Sequence, residues 1–117
     1  MERLFDAELR LMEIIWEREP VSAKAISLIA AEQFGWNKNT TYTVVKRLIE
    51  KGVLQRDEPG FICSSKLGKA DVQRAETMTL IEKLFGGSKK AFFAAFADEQ
   101  LSPDEVDALK ALIEEKV

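Results

Sequence analysis

The sequence predicts a mostly α-helical protein with a small β wing: a winged helix-turn-helix followed by a C-terminal helical region. Three amphipathic segments follow one another over residues 6–50, and two short β-capable runs with a Pro-Gly turn between them occupy residues 53–64. Three further helical segments fill the rest of the 117 residues. We therefore divide the chain into two domains, residues 1–66 and residues 67–117.

The first helix is predicted over residues 6–18, with Asp6 as its N-cap. Its apolar residues recur at the spacing of one helix face: Phe5, Leu9, Met12 and Trp16, with Leu11 and Ile15 beside them. Pro20 ends this helix, and Val21 makes a short extended link.

The second helix is expected to begin after Ser22, whose hydroxyl suits an N-cap, and to run to about Phe34. Gly35 follows as the residue that ends the helix in a left-handed conformation. The side chains expected in its core face are Ala25, Ile26, Ile29 and Ala30.

The third helix begins near Asn39, capped by Asn37 or Asn39, and it is the most informative segment of the chain. Its buried arc is predicted to hold Thr41, Val44, Val45, Leu48 and Ile49. Its opposite arc holds Asn39, Thr43, Lys46, Arg47 and Glu50, with Thr40 and Tyr42 on the flanks. Short hydrogen-bonding side chains followed by cations are typical of a recognition helix, whereas an ordinary surface helix mixes Glu and Lys more evenly.

Residues 53–56 and 61–64 are predicted to pair as the hairpin of the wing, and the Pro-Gly step between them is typical of a type II turn. The tip of this hairpin carries two carboxylates, Asp57 and Glu58. Because carboxylates are repelled by phosphate, we expect Arg56 to approach a DNA backbone in place of the tip.

The charge distribution also favours DNA as the ligand. The chain carries a net charge of −3, yet residues 36–56 alone carry +4, through Lys38, Lys46, Arg47, Lys51 and Arg56 against one glutamate. An acidic body with one basic face suits a site-specific DNA-binding protein. The residues that we expect at the DNA are Asn37, Lys38, Asn39, Thr40, Tyr42, Thr43, Lys46, Arg47 and Arg56.

The composition argues against several other classes of protein. The chain has no histidine and a single cysteine, so it lacks the residues for histidine-based catalysis and for a zinc site. We therefore expect no enzyme, no cofactor and no metal site. No apolar run approaches the length of a membrane span and no signal peptide is recognised, so the expected location is the cytoplasm. Cys63 suits a small core residue better than a redox sensor, which would need a lowered thiol pKa.

The second half of the chain is predicted to form a long helix over residues 67–85, a short apolar helix after Gly86-Gly87-Ser88, and a last helix capped reciprocally by Ser102 and Glu105. Four of the seven phenylalanines lie between residues 85 and 96. They either pack back on the winged helix or, as we prefer, are buried in a two-fold homodimer. The residues expected in that dimer are Leu84, Phe85, Phe92, Phe93, Phe96, Val106, Leu109 and Ile113.

The chain resembles the penicillinase repressor family (BlaI/MecI/CopY), which includes methicillin-resistance and copper-responsive repressors. The resemblance lies in ELRLMEIIW (8–16), VSAKAI (21–26), WNKNTTYTVVKRLIEKGVL (36–54) and LSPDEVDALKALIEE (101–115). It implies a homodimeric transcriptional repressor whose N-terminal winged helices bind a pseudo-palindromic operator in double-stranded DNA. It also implies that the C-terminal helices intertwine.

Three departures from the family limit this comparison. The tail LIEEKV lacks the Cys-x-Cys pairs of the copper-responsive members, so metal sensing is not expected. The β-lactam-responsive members are cut at an Asn-Phe bond when a membrane sensor protease is triggered, and the aligned pair here is Ala95-Phe96, a weak candidate for cleavage. Tyr42 stands where the antibiotic-resistance members carry Arg, which predicts a different operator sequence.

One alternative function remains open. A winged helix also serves as a protein–protein interaction module without direct DNA binding, in which Tyr42 and the threonines would contact a partner protein. The salt dependence of binding separates the two functions, because only a DNA-binding protein releases condensed counterions.

Overall fold

The computed structural model describes residues 3–96 and 101–114, with only the backbone described for residues 112–114. The chain divides into two compact units, Met1–Val72 and Gln73–Val117. Within the described residues no helix is long and apolar enough to cross a membrane.

The first unit begins with three helices: α1 (Asp6–Arg18), α2 (Ala23–Phe34) and α3 (Lys38–Glu50). The side chain of Ser22 accepts a hydrogen bond from the Ala25 N–H, which confirms the predicted N-cap of α2. Asp6 is not the N-cap of α1, because Phe5 occupies that position and its N–H donates to the Glu8 carboxylate at 2.7 Å.

The core of this unit differs from the predicted stripe of α1. Phe5 is 63% exposed, while the helix face that points inwards carries Glu8 together with apolar residues. The fully buried side chains of α1 are Glu8, Leu11, Met12 and Ile15. They meet Ile26 and Ala30 of α2 and the predicted arc of α3, in which Val45 and Leu48 are fully buried. The prediction was therefore correct for Leu11, Met12 and Ile15, and Leu9 and Trp16 are partly buried against the same core. It was wrong for Phe5, and it did not include Glu8, a charged residue at a core position.

A three-stranded antiparallel sheet completes the first unit, with β1 (Val21–Ser22), β2 (Leu54–Asp57) and β3 (Ile62–Ser65) in the order β1-β3-β2. The hairpin of β2 and β3 is the predicted wing, with each strand one residue later than expected. Its turn includes Gly60 and Phe61, which have φ values of 94° and 50°. The extended link at Val21 is a short strand that pairs with Cys63.

Helix α4 (Lys69–Phe85) begins in the first unit, two residues after its predicted start, and continues into the second. The second unit also contains α5 (Lys89–Ala95) and α6 (Pro103–Glu114). Gly86 and Gly87 separate α4 from α5 with left-handed φ values. Ser102 and Glu105 cap α6 reciprocally, at 2.9 and 3.1 Å, as predicted.

Candidate nucleic-acid interface

Helix α3 is held by a short turn that follows α2. Gly35 ends α2 with a φ of 70°, and this left-handed conformation strongly favours glycine. Two residues later the side chain of Asn37 accepts a hydrogen bond from the Thr40 N–H at 2.8 Å. Asn37 is therefore the N-cap of α3, and the turn fixes where the first residues of that helix emerge.

The exposed side of α3 forms a shallow concavity of about 290 Å³ near the helix N-terminus. Its lining brings together five of the nine residues predicted at the DNA, with Val44 at its base. The lining residues are Asn37, Asn39, Thr40, Thr43, Val44 and Arg47. A polar, open surface at the start of a helix suits contacts with base edges in a major groove.

The two threonines of this surface differ in their hydrogen bonds. The Thr43 hydroxyl donates to the Asn39 carbonyl at 2.8 Å, so its oxygen offers acceptor positions to a ligand, and its methyl group suits contact with a thymine methyl. The Thr40 hydroxyl makes no hydrogen bond with any residue that the structure describes. Thr40 can therefore both donate and accept.

The cations of residues 36–56 fall into two groups. Lys46 and Arg47 are exposed on α3, and neither makes an ion pair with a described residue. Lys51 instead points into the first unit, where its ammonium lies 2.7 Å from the buried Glu8 carboxylate and 4.4 Å from the centre of the Phe5 ring. Lys51 therefore adds little to the basic face that the charge distribution predicted.

The wing carries Arg56, but this cation is already paired. Its Nε donates to a Glu58 oxygen at 2.6 Å, and its guanidinium carbon lies 3.6 Å from the centre of the Phe61 ring. The Phe61 N–H and the Arg56 guanidinium together hold the pKa of Glu58 below its usual range. Sequence reasoning missed Phe61 and Glu58, although both lie within five residues of Arg56.

Tyr42 extends this group of side chains onto the helix. Its ring meets Phe61 edge to face, with centroids 5.7 Å apart, and Lys38 lies 5.7 Å from its centre on α3. The surface that we describe as the candidate interface therefore comprises the exposed face of α3 and the Arg56 end of the wing.

The surroundings of Cys63 do not activate its thiol. It is fully buried on β3, opposite Arg56, and burial raises the pKa of its thiol to about 11 despite the opposing effect of that arginine. The thiol is thus protonated at neutral pH, which argues against a redox sensor. Among the described residues, no group of three or more His, Cys, Asp or Glu side chains is placed to hold a metal ion.

The second unit presents a separate apolar surface. Phe92 is buried within one chain and meets Phe85 and Phe96 edge to face, at 5.7 and 5.3 Å. Leu84 is 67% exposed and Phe96 39% exposed, while Phe93, Val106 and Leu109 are half-buried. The side chain of Ile113 lies outside the described residues. An apolar groove of about 340 Å³ runs between α5 and α6, and Phe92, Phe96 and Leu109 are part of its lining.

The chain is similar to known proteins in sequence and in fold. The model of the penicillinase repressor family matches residues 4–115. The penicillinase repressor of Bacillus licheniformis is 24% identical over 116 residues, which cover 97% of this chain and 91% of that protein. The methicillin resistance regulatory protein MecI of Staphylococcus aureus strain N315 is 29% identical over 113 residues, covering 94% of this chain and 92% of MecI.

Two solved structures share the fold of the N-terminal part. The solution structure of the DNA-binding domain of the repressor BlaI aligns with a TM-score of 0.55 and 26% identity, over 61% of this chain and 93% of that domain. The Bacillus licheniformis BlaI monomer, solved in complex with the blaP half-operator, aligns with a TM-score of 0.54 and 26% identity, over 60% of this chain and 88% of that one.

Proposed function

The chain belongs to the penicillinase repressor family, and we propose that it is a transcriptional repressor that binds operator DNA through its winged helix and acts as a homodimer. The observation that carries the proposal is the exposed face of α3. There Arg47 is part of the lining of a polar concavity at the helix N-terminus, and Lys46 precedes it in the sequence; neither cation has an internal partner among the described residues. A helix with such free cations is equipped to hold phosphates while its first turns meet bases.

The proposed contacts divide by chemistry. Asn39, Thr40 and Thr43 present amide and hydroxyl groups that reach base edges, as an α-helix in the major groove requires. Lys38, Lys46, Arg47 and Arg56 provide phosphate contacts, which fix the position of the protein on the duplex without reading its sequence. Arg56 can do so while its Nε donates to Glu58, because a guanidinium has five N–H donors. The remaining predicted residues, Asn37 and Tyr42, border this surface.

The proposed assembly is a symmetric dimer. A related repressor was solved as a monomer on a half-operator, which supports an operator made of two halves. In this chain the exposed Leu84 and Phe96 supply an apolar surface that a second copy would cover, as the sequence predicts. Since the proposed ligand is DNA, the proposed place of action is the cytoplasm.

A membrane sensor protease is the weaker of the proposed partners. The bond in question, Ala95–Phe96, lies at the end of α5, where the Phe96 N–H donates to the Phe93 carbonyl at 3.1 Å. Proteases bind their substrates as extended chains, so cleavage there requires the last turn of α5 to open first. Incubating the protein with its cognate sensor and sequencing the new N-terminus tests this proposal.

We expect Thr43→Val and Lys46→Ala to weaken DNA binding in different ways. Thr43→Val removes a base contact and should cost roughly 1–3 kcal/mol on the operator while sparing other DNA. Lys46→Ala removes a phosphate contact, so it should weaken binding to operator and non-operator DNA alike. It should also lower the slope of log K against log salt by about 0.9 for each phosphate that is no longer neutralised. Titration of both variants on both DNAs over a salt series measures these effects.

Thr79→Val is the matched control for Thr43→Val. Thr79 is also an exposed helical threonine, and its hydroxyl donates to the Ala75 carbonyl at 3.0 Å, so the local change is the same. It should leave DNA binding unchanged. If Thr43→Val keeps the wild-type ratio of operator to non-operator affinity, α3 does not read the operator as proposed. If the chain instead binds a protein partner with an affinity that does not change with salt concentration, the alternative function, a protein–protein interaction module, would be favoured.

A further inference from the structure

Two aromatic rings join the wing to the recognition helix. Tyr42 of α3 and Phe61 of the wing pack edge to face with centroids 5.7 Å apart, and we call this pair the aromatic bridge. Each ring also has a cation next to it: the Lys38 ammonium lies 5.7 Å from the centre of the Tyr42 ring, and the Arg56 guanidinium carbon lies 3.6 Å from the centre of the Phe61 ring. Both cations belong to the set proposed to contact phosphates, and one lies on each of the two elements that approach the DNA.

The wing end of the bridge is anchored by its backbone. The Phe61 carbonyl accepts a hydrogen bond from the Ala23 N–H at 2.9 Å, and the Phe61 N–H donates to Glu58 at 3.1 Å. Phe61 also has a φ of 50°, a conformation that is uncommon for a bulky residue and persists only where the surroundings impose it. The backbone of Phe61 is thus held by Ala23 and Glu58, whereas its ring lies against Tyr42 and Arg56.

Its place in the aromatic bridge makes Tyr42 poorly placed to contact DNA bases directly. The residue is half-buried, and its ring lies 5.7 Å from the Phe61 ring and 5.7 Å from the Lys38 ammonium. By contrast, Thr40 and Thr43, its neighbours on the same helix, are exposed in the reading concavity, and Tyr42 is not among the residues that line it. Tyr42 therefore contacts the wing through Phe61 and is not part of the concavity.

We propose that Tyr42 is a positioning residue of the DNA-binding surface: through Phe61 it holds Arg56 at a fixed place relative to α3, so that the helix and the wing engage the backbone as one unit. This inference rests on the proposed function. A flexible hairpin would lose affinity in ordering Arg56 at the moment of binding, whereas the bridge supplies that order in advance.

Binding of the full-length protein to its operator, measured over a salt series, tests the proposal. Arg56→Ala should weaken binding at least about tenfold and lower the salt slope by about 0.9 per protomer. Tyr42→Leu removes the ring but keeps apolar volume, and it should lower the slope by the same amount although Arg56 is still present. The double variant Tyr42→Leu/Arg56→Ala should bind no more weakly than Arg56→Ala alone, because both changes remove the same phosphate contact.

Tyr42→Phe separates this role from base reading, since it keeps the ring and removes only the hydroxyl. It should restore the affinity and the salt slope that Tyr42→Leu loses, without a fall in the specificity ratio. Three results would each overturn the proposal. The first is a lower specificity ratio in Tyr42→Phe, and the second is a loss of affinity in the double variant equal to the product of the losses in the two single variants. The third is an Arg56→Ala variant that binds as the wild type does. If the Tyr42→Leu variant unfolds at the assay temperature, the Phe61→Leu variant, which lacks the other ring of the aromatic bridge, takes its place in the same comparison. A wild-type protein that fails to bind DNA at all would instead overturn the proposed function.

Discussion

Lys51→Met should lower the free energy of unfolding by about 3–5 kcal/mol. The Glu8 carboxylate is fully buried, and its Oε2 has no hydrogen-bond partner among the described residues. Its other oxygen, Oε1, accepts from the Lys51 ammonium at 2.7 Å and from the Phe5 N–H at 2.7 Å. Removing the ammonium leaves a buried charge with one neutral donor, which costs far more than a surface ion pair contributes. Urea unfolding followed by circular dichroism, at one protein concentration, measures the change.

Lys69→Met is the matched control. Lys69 lies 3.0 Å from Glu13 in an ion pair whose side chains are 47% and 57% exposed, so its loss should cost less than about 1 kcal/mol. Replacing both buried partners, as in Glu8→Met/Lys51→Met, should recover much of the stability lost in Lys51→Met. Equal stability of the Lys51→Met and Lys69→Met variants would show that Glu8 and Lys51 do not form the pair seen here.

Leu84→Asp should convert the proposed dimer into a monomer and reduce operator affinity by about 10²–10⁴-fold, because the second half-site would no longer be bound from a tethered partner. Leu84 is 67% exposed in a single chain, so a carboxylate at this position is hydrated unless a second copy covers it. Burial of the unpaired charge against that copy would cost several kcal/mol. Sedimentation of the variant and operator titration measure the two effects.

Thr79→Asp provides the control for Leu84→Asp, since it places the same charge at an exposed position of α4 about 140° away around the helix. It should remain dimeric. If the Leu84→Asp protein sediments as the wild type does, the dimer contact lies elsewhere. If the wild type is itself monomeric at micromolar concentration, the proposed dimer is refuted.

The sequence predicted best the features that depend on neighbouring residues. Ser22 and the pair Ser102 and Glu105 were identified as caps because each acts on an N–H only three residues away. For α3 the cap was narrowed to Asn37 or Asn39, and it is Asn37. The arc of α3 was also predicted correctly, since its 3.6-residue period is uninterrupted by charge. These local signals were sufficient to define the helix-turn-helix and the limits of its recognition helix.

Features that depend on distant residues were not predicted. The burial of Glu8 was not predicted, because its partner Lys51 is 43 residues away in the sequence. The two-residue strand β1 exists only through its pairing with β3, so nothing in residues 21–22 alone distinguishes it from a link. Arg56 was correctly placed on the wing, but its stacking on Phe61 depends on a left-handed turn that composition does not reveal.

Selection of bound duplexes from a random pool, followed by footprinting of the full-length protein on the enriched sequence, decides whether this chain is a dimeric operator-binding repressor. A symmetric dimer presents its two α3 helices about one turn of DNA apart, or a multiple of that distance. We therefore expect an inverted repeat with half-sites roughly 10 base pairs apart, or a multiple of that spacing, protected on one face of the duplex. Enrichment of a single asymmetric site, or no enrichment at all, would contradict a homodimeric operator-binding repressor.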